Sequence, residues 1–82
     1  MAAERLTVVQ RHDCALCEEM LAELAALGRQ LPLPPIDVVD VDADPLLKRR
    51  HGLDVPVLLL DGTLVCRHRL DRAELKRLLA AR

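Results

Sequence analysis

The apolar side chains of this chain change their spacing between residues 10 and 14, and that change constrains the topology more than any other feature. In "RLTVVQ" (residues 5–10) they form a short, β-branched run, which predicts a buried strand. From about Cys14 onward, Leu16, Met20, Leu21, Leu24 and Leu27 recur at intervals of three and four, the pattern of one helix face. Gly28 is placed to end that helix in the left-handed conformation. "LPLPP" (residues 31–35) suits neither a helix nor a central strand and predicts a surface connector. "IDVVDVDAD" (residues 36–44) then reads as a second strand tailing into acidic turn residues. Two strands separated by a helix run parallel and need a right-handed crossover.

The second half follows a different rule. Asp44 followed by Pro45 opens a short helix, with a capping carboxylate before the residue that loses nothing at the first helical position. That helix ends near Gly52, with "KRRH" (residues 48–51) as its solvated, positively charged end. "VPVLLL" (residues 55–60) is a third strand, "DG" (residues 61–62) a tight hairpin turn, and "TLVCRH" (residues 63–68) the antiparallel return. Asp71 and Glu74, three apart and ahead of Leu75, Leu78 and Leu79, have the spacing of a capping box. The order β-α-β-α-β-β-α implies an α/β fold, a mixed four-stranded sheet with helices on both faces. The loop before the first helix meets the turn before the third strand at one end of it.

With 82 residues there is room for one domain, spanning residues 1–82. Hydrophobic residues make up 51% but aromatic residues 0%, so the core must come from Leu, Val and Ala. The missing aromatic platforms argue against single-stranded nucleic acid as a partner. A net charge of −1 argues against binding to a phosphate backbone. "MAAERLTVVQ" lacks the apolar core of a secretory signal, and no apolar run approaches the roughly 18 residues that cross a bilayer. A cytoplasmic monomer with no membrane attachment is expected.

The cysteines stand at positions 14, 17 and 66. An odd number in a cytoplasmic chain does not suggest a structural disulfide framework. Cys14 and Cys17 are a redox pair, half of a metal site, or two small buried hydrophobes. Zinc needs four ligands and the chain offers no second CxxC, while an iron–sulfur cluster shared between two chains stays open as an alternative. Cys66 is expected as a buried thiol in mid-strand, on the same face as Leu64. His12, His51 and His68 are expected to face solvent, and Arg11 is either a simple surface charge or a carboxylate clamp. The acidic run lacks the Gly and terminal Glu of a calcium loop.

Pro56 constrains its strand, because it removes a ladder donor. It is tolerated next to a free edge, or when the Val55–Pro56 bond is cis, which for an X–Pro bond costs only about 0.5–1 kcal/mol. A cis bond there, beside Cys14, is the expectation.

"CALC" at the start of the first helix, "DVP" opening the third strand and "DG" in the hairpin together resemble the glutaredoxin branch of the thioredoxin fold. More narrowly, the chain resembles small bacterial glutaredoxin-like proteins with a Cys-x-x-Cys-Glu-Glu start and an Ile/Val-Pro-Val-Leu third strand. The resemblance spans nearly the whole chain. It implies a thiol–disulfide oxidoreductase acting on protein or small-molecule disulfides, without a tightly bound cofactor and with glutathione as a candidate co-substrate. Cys14, at a helix N-terminus that favours a thiolate, would attack, and Cys17 would resolve the mixed disulfide. Arg11 adds positive charge while Asp13, Glu18 and Glu19 oppose it, so a reducing couple is expected. The resemblance also implies substrate-binding roles for Arg11, for the Val55 backbone beside Pro56, and for Asp71. His68, Arg69 and Leu70 stand where the family is Gly-rich. A degenerate adaptor with vestigial thiols and an iron–sulfur carrier are the alternative readings.

Overall fold

The computed structural model describes residues 4–81. In chain order its elements are β1 (Leu6–Gln10), α1 (Ala15–Gly28), β2 (Ile36–Asp40), a 3₁₀ turn (Val41–Ala43), α2 (Pro45–His51), β3 (Val57–Leu60), β4 (Thr63–Arg67) and α3 (Arg72–Ala81). The strands form one sheet in the order β2-β1-β3-β4. β1 runs parallel to β2, with Leu6 opposite Ile36 and Gln10 opposite Asp40. It runs antiparallel to β3, with Leu6 opposite Leu60 and Val9 opposite Val57. This is the expected β-α-β-α-β-β-α mixed sheet.

Two apolar layers sandwich that sheet. On one face Leu6, Val8, Leu58, Leu60 and Val65 pack with Met20, Leu24 and Leu27 of α1 and Leu75 of α3. On the other, Val9 and Val57 pack with Val41 of the 3₁₀ turn, and Leu47 of α2 leans against them. Because strand side chains alternate, β1 and β3 supply both layers. The second layer is thin, since α2 contains no buried residue. No helix among the described residues is long and apolar enough to cross a membrane.

Local signals account for most boundaries. The Asp44 carboxylate accepts hydrogen bonds from the Leu46 and Leu47 amides at 2.8 and 3.4 Å, with Pro45 following it. In the hairpin, Asp61 and Gly62 have φ of +49° and +83°, the paired positive values that match the twist of adjoining strands.

Six expectations are corrected. Gly28 does not adopt the left-handed conformation: it stays helical and Arg29 caps α1 in the right-handed region. The Leu31 amide still reaches the Leu27 carbonyl at 3.1 Å, and Pro32, which has no N–H, stops the helix without a left-handed residue. The connector is not wholly superficial, for Leu31 and Leu33 pack against the main core. β2 ends at Asp40 rather than Asp44, because the Asp40 carboxylate accepts the Asp42 amide at 2.9 Å and turns the chain into the 3₁₀ helix. β3 begins only at Val57, after the proline.

The fifth correction concerns β4. Leu58 faces Cys66 while Leu59 faces Leu64, so Val65 is an extra residue. This β-bulge places Val65 and Cys66 on the α1/α3 face and Leu64 on the other, so Cys66 and Leu64 do not share a face. Only half of the capping box forms as well. Asp71 accepts the Glu74 amide at 3.0 Å, but the Glu74 carboxylate pairs with Arg77, and the Asp71 amide donates to Cys66 Sγ at 3.5 Å.

Leu24→Ala, removing a side chain that is 1% exposed at the centre of the main core, should cost about 2–5 kcal/mol in denaturant unfolding. Asp71→Ala should cost about 0.5–2 kcal/mol as a lost helix cap. Glu74→Ala should have the smallest effect, and a larger loss than for Asp71→Ala would show that the reciprocal cap forms in solution.

Candidate active site

The chain leaves β1 at Gln10 and turns through His12 and Asp13, where Asp13 takes φ = +54°. Aspartate tolerates this left-handed region because its short side chain bonds locally. The turn delivers Cys14 in an extended conformation (φ −120°, ψ 105°) as the N-cap of α1. Its Sγ accepts the Cys17 amide at 3.2 Å, so sulfur does the work that a Ser or Asp oxygen does at other caps. Cys14 and Cys17 are joined in a disulfide, with their Cα atoms 5.2 Å apart. Cys14 is partly exposed, whereas Cys17 is fully buried. Of the two sulfurs, only that of Cys14 belongs to a residue with surface open to solvent.

The Val55–Pro56 bond is cis, as expected. Val57 lies opposite Val9, so Pro56 sits at the end of the sheet where β1 leads into Cys14. The Pro56 carbonyl accepts the His68 amide at 2.7 Å. His68 itself has φ = +69°, and the Arg69 amide returns to the Arg67 carbonyl at 2.8 Å, a γ-turn that ends β4. The backbone N–H and C=O of Val55 make no hydrogen bond to any described residue. An unpaired donor and acceptor beside the thiols can add a stretch of extended substrate as a further strand.

Arg11 is a clamp, and its partners lie within the protein. Nε and Nη2 donate to the two carboxylate oxygens of Asp42 at 2.9 and 3.2 Å, and Nη1 donates to the Gly52 carbonyl at 2.9 Å. Lys48 Nζ lies 3.7 Å from the same carboxylate. The Arg11 hydrogen bonds hold the Asp42 carboxyl below the usual carboxylate range, so the clamp is intact at neutral pH and releases only as acid protonates Asp42. Arg11 stands three residues before Cys14 and Gly52 three before Val55, so one guanidinium joins the nucleophile's loop to the loop carrying the free backbone. With its charge offset by Asp42, Arg11 offers the Cys14 sulfur less electrostatic support than the sequence suggests.

Of the six residues singled out from the sequence, Cys14, Cys17, Val55 and Pro56 gather at one end of the sheet, and Arg11 braces them. Asp71 lies on the far side of the β4–α3 turn, occupied as a helix cap. Cys66 lies partly buried on the α1/α3 face; burial, reinforced by the charges of Asp71 and Glu74, pushes its thiol pKa up. Sequence reasoning missed Asp42, the Gly52 carbonyl and the His68 amide. Asp42 stood within an acidic run with nothing to mark its partner, and backbone groups leave no trace in residue identity. Among the described residues, no three His, Cys, Asp or Glu gather as a metal-ligand group.

Known proteins share this fold. The family model of a glutaredoxin-like domain (DUF836) matches residues 5–80. A search of curated proteins found no match. Among solved structures, protein Ne2328 from Nitrosomonas europaea superposes with a TM-score of 0.82 at 29% identity, covering 95% of this chain and 93% of that one. Protein XcR50 from X. campestris is 33% identical, with a TM-score of 0.66 over 99% of this chain and 96% of its own. Desulfothioredoxin from Desulfovibrio vulgaris Hildenborough, in its reduced form, is 26% identical, with a TM-score of 0.69 over 99% of this chain and 83% of its own. With that family match over nearly its full length, and a CxxC pair capping the first helix of a thioredoxin fold, the chain belongs to the glutaredoxin-like domain family.

Proposed function

We propose that the protein is a dithiol oxidoreductase that reduces disulfides in proteins or small molecules. The observation that carries this reading is the pairing of a partly exposed Cys14 at a helix N-terminus with a fully buried Cys17, beside the unengaged backbone of Val55. The Cys14 thiolate attacks one sulfur of the substrate disulfide, forming a mixed disulfide and releasing a substrate thiolate, which takes up a proton. Cys17 then attacks Cys14 Sγ, releases the second substrate thiol, and leaves the Cys14–Cys17 disulfide. Two electrons pass to the substrate. A second dithiol, or two molecules of a monothiol such as glutathione, returns the pair to its reduced form.

The helix N-terminus favours the thiolate, while Asp13, Glu18 and Glu19, all exposed around it, disfavour it. These opposing charges leave the thiolate less favoured than the helix terminus alone would make it, which suits a reducing couple. Equilibration of the Cys14–Cys17 pair against redox buffers checks this, and a strongly oxidising potential would overturn it.

Cys14→Ser should abolish disulfide reduction. Cys17→Ser should instead accumulate mixed disulfides with substrate, visible by mass spectrometry, because attack is preserved and resolution is lost. In reduced protein near neutral pH, alkylation should label Cys14 first. Cys66 should react slowly until the solution is strongly alkaline, because its raised pKa leaves less thiolate at any lower pH. Faster labelling of Cys17 or Cys66 would reverse the assignment.

A glutathione carboxylate that used Arg11 would have to compete with Asp42. Arg11→Ala should therefore raise KM for a glutathione mixed disulfide by less than about tenfold, as for an exposed charge contact. It should also lower kcat, because the loops of Cys14 and Val55 lose their common brace. Steady-state kinetics separate the two effects, and an unchanged kcat would remove the bracing role.

A further inference from the structure

The sheet face beneath α2 is incompletely covered. α2 has only seven residues, and the bulge at Val65 turns both Leu64 and Arg67 onto this side, opposite Leu59 and Val57. Leu64 is left 43% exposed. Between the end of α2 and β4 lies an open groove of about 170 Å³, lined by Arg50, His51, Asp54, Val57, Leu64 and Arg67. Cofactor sites commonly enclose about 300–1,000 Å³, so this groove is sized for one or two side chains of a passing segment.

Its charge and position indicate which segment. The exposed Arg50 side chain makes no ion pair or hydrogen bond with a described residue. Arg67 and His68 each stand 3.7 Å from the one acid in the groove, Asp54, so that carboxylate already has basic neighbours of its own. Arg49 in the same turn of α2 adds positive charge, while Lys48 is turned toward Asp42. Around the start of α1, Asp13 in the preceding turn and Glu18 and Glu19 in the helix are all exposed. The groove lining itself is thus basic on balance, with Arg50 and Arg67 against the single carboxylate of Asp54, whereas the acids Asp40, Asp42 and Asp44 stand at the opposite, N-terminal end of α2. Asp54 and Val57 flank the Val55–Pro56 pair, so the groove continues directly from the free Val55 backbone, and the turn beside it presents Leu53, 97% exposed.

We infer that this groove receives an acidic segment with an apolar side chain, next to the reacting cysteine of a disulfide-bearing protein substrate. This rests on the oxidoreductase reading and narrows its substrate class. The apolar side chain lies over Val57 and Leu64, the flanking carboxylates meet Arg50 and Arg67, and the basic alternative is repelled there. Such complementarity acts on partner choice and on the rate of encounter, and salt weakens it.

The test uses the full chain and two peptides with the same cysteine in mixed disulfide with a chromophoric thiol, flanked by Glu-Leu-Glu or by Lys-Leu-Lys. At low salt the acidic peptide should be reduced with kcat/KM at least about tenfold higher, and the ratio should shrink as salt is added. In Arg50→Glu, and separately in Arg67→Gln, the ratio should fall toward one, with circular dichroism confirming the fold. Equal rates for the two peptides in the parent, or a ratio that survives Arg50→Glu, would overturn the inference. Binding of the same peptides with Ser in place of Cys is measured by calorimetry. If the parent reduces neither peptide nor any small disulfide, the oxidoreductase reading fails, and the groove stands or falls on whether the acidic Ser peptide binds more tightly.

Discussion

Strand β1 is the element on which the others depend, because it is bonded along both edges and buried on both faces. β2 pairs with it in parallel and β3 antiparallel, while Leu6 and Val8 face one core layer and Val9 the other. A slip of one residue in this strand would turn every side chain to the wrong face. Its register also decides where the candidate site is assembled. Val9 opposite Val57 brings the two ends that follow, one leading to Cys14 and the other coming from Pro56, to the same edge of the sheet.

That juxtaposition leaves two loops without regular secondary structure side by side, and a few polar contacts hold them. Arg11 joins the Cys14 loop to the Gly52 carbonyl and to Asp42, and the His68 amide holds the Pro56 carbonyl. The contacts to Gly52 and Pro56 tie down residues on either side of Val55 while leaving the Val55 backbone free. A site braced in this way can present an unpaired donor and acceptor to a substrate without reorganising first.

The bulge at Val65 has effects on both faces. On the α1/α3 side it puts Cys66 against the Asp71 amide, which leaves α3 with only half a capping box. On the other side it presents Leu64 and Arg67 beneath the end of α2 and forms the basic groove. One inserted residue therefore shapes a helix start and a surface patch together.

Much of this was legible in the residues themselves. The change from strand spacing to helical spacing set the order of β1 and α1. Asp44–Pro45, Asp61–Gly62 and Asp71 marked two helix starts and a hairpin, because capping and left-handed turns depend on one or two local side chains. The CxxC at a strand-to-helix junction and the later Val-Pro pair marked the candidate site, and a proline at the head of a strand pointed to the cis bond that the structure holds. What could not be read were contacts between groups far apart in sequence. Arg11 could pair with any acid in the chain, and only packing brought Asp42 and the Gly52 carbonyl within reach. The bulge that separates Cys66 from Leu64 is likewise a matter of register between strands, which alternation within one strand does not report. The sequence alone determined the elements, their order and the Cys14–Cys17 pair at the head of α1, because those rest on local chemistry and hydrophobic spacing. The tertiary structure decided which charges meet, which backbone groups stay free and which face β4 presents, because those follow from how the strands align.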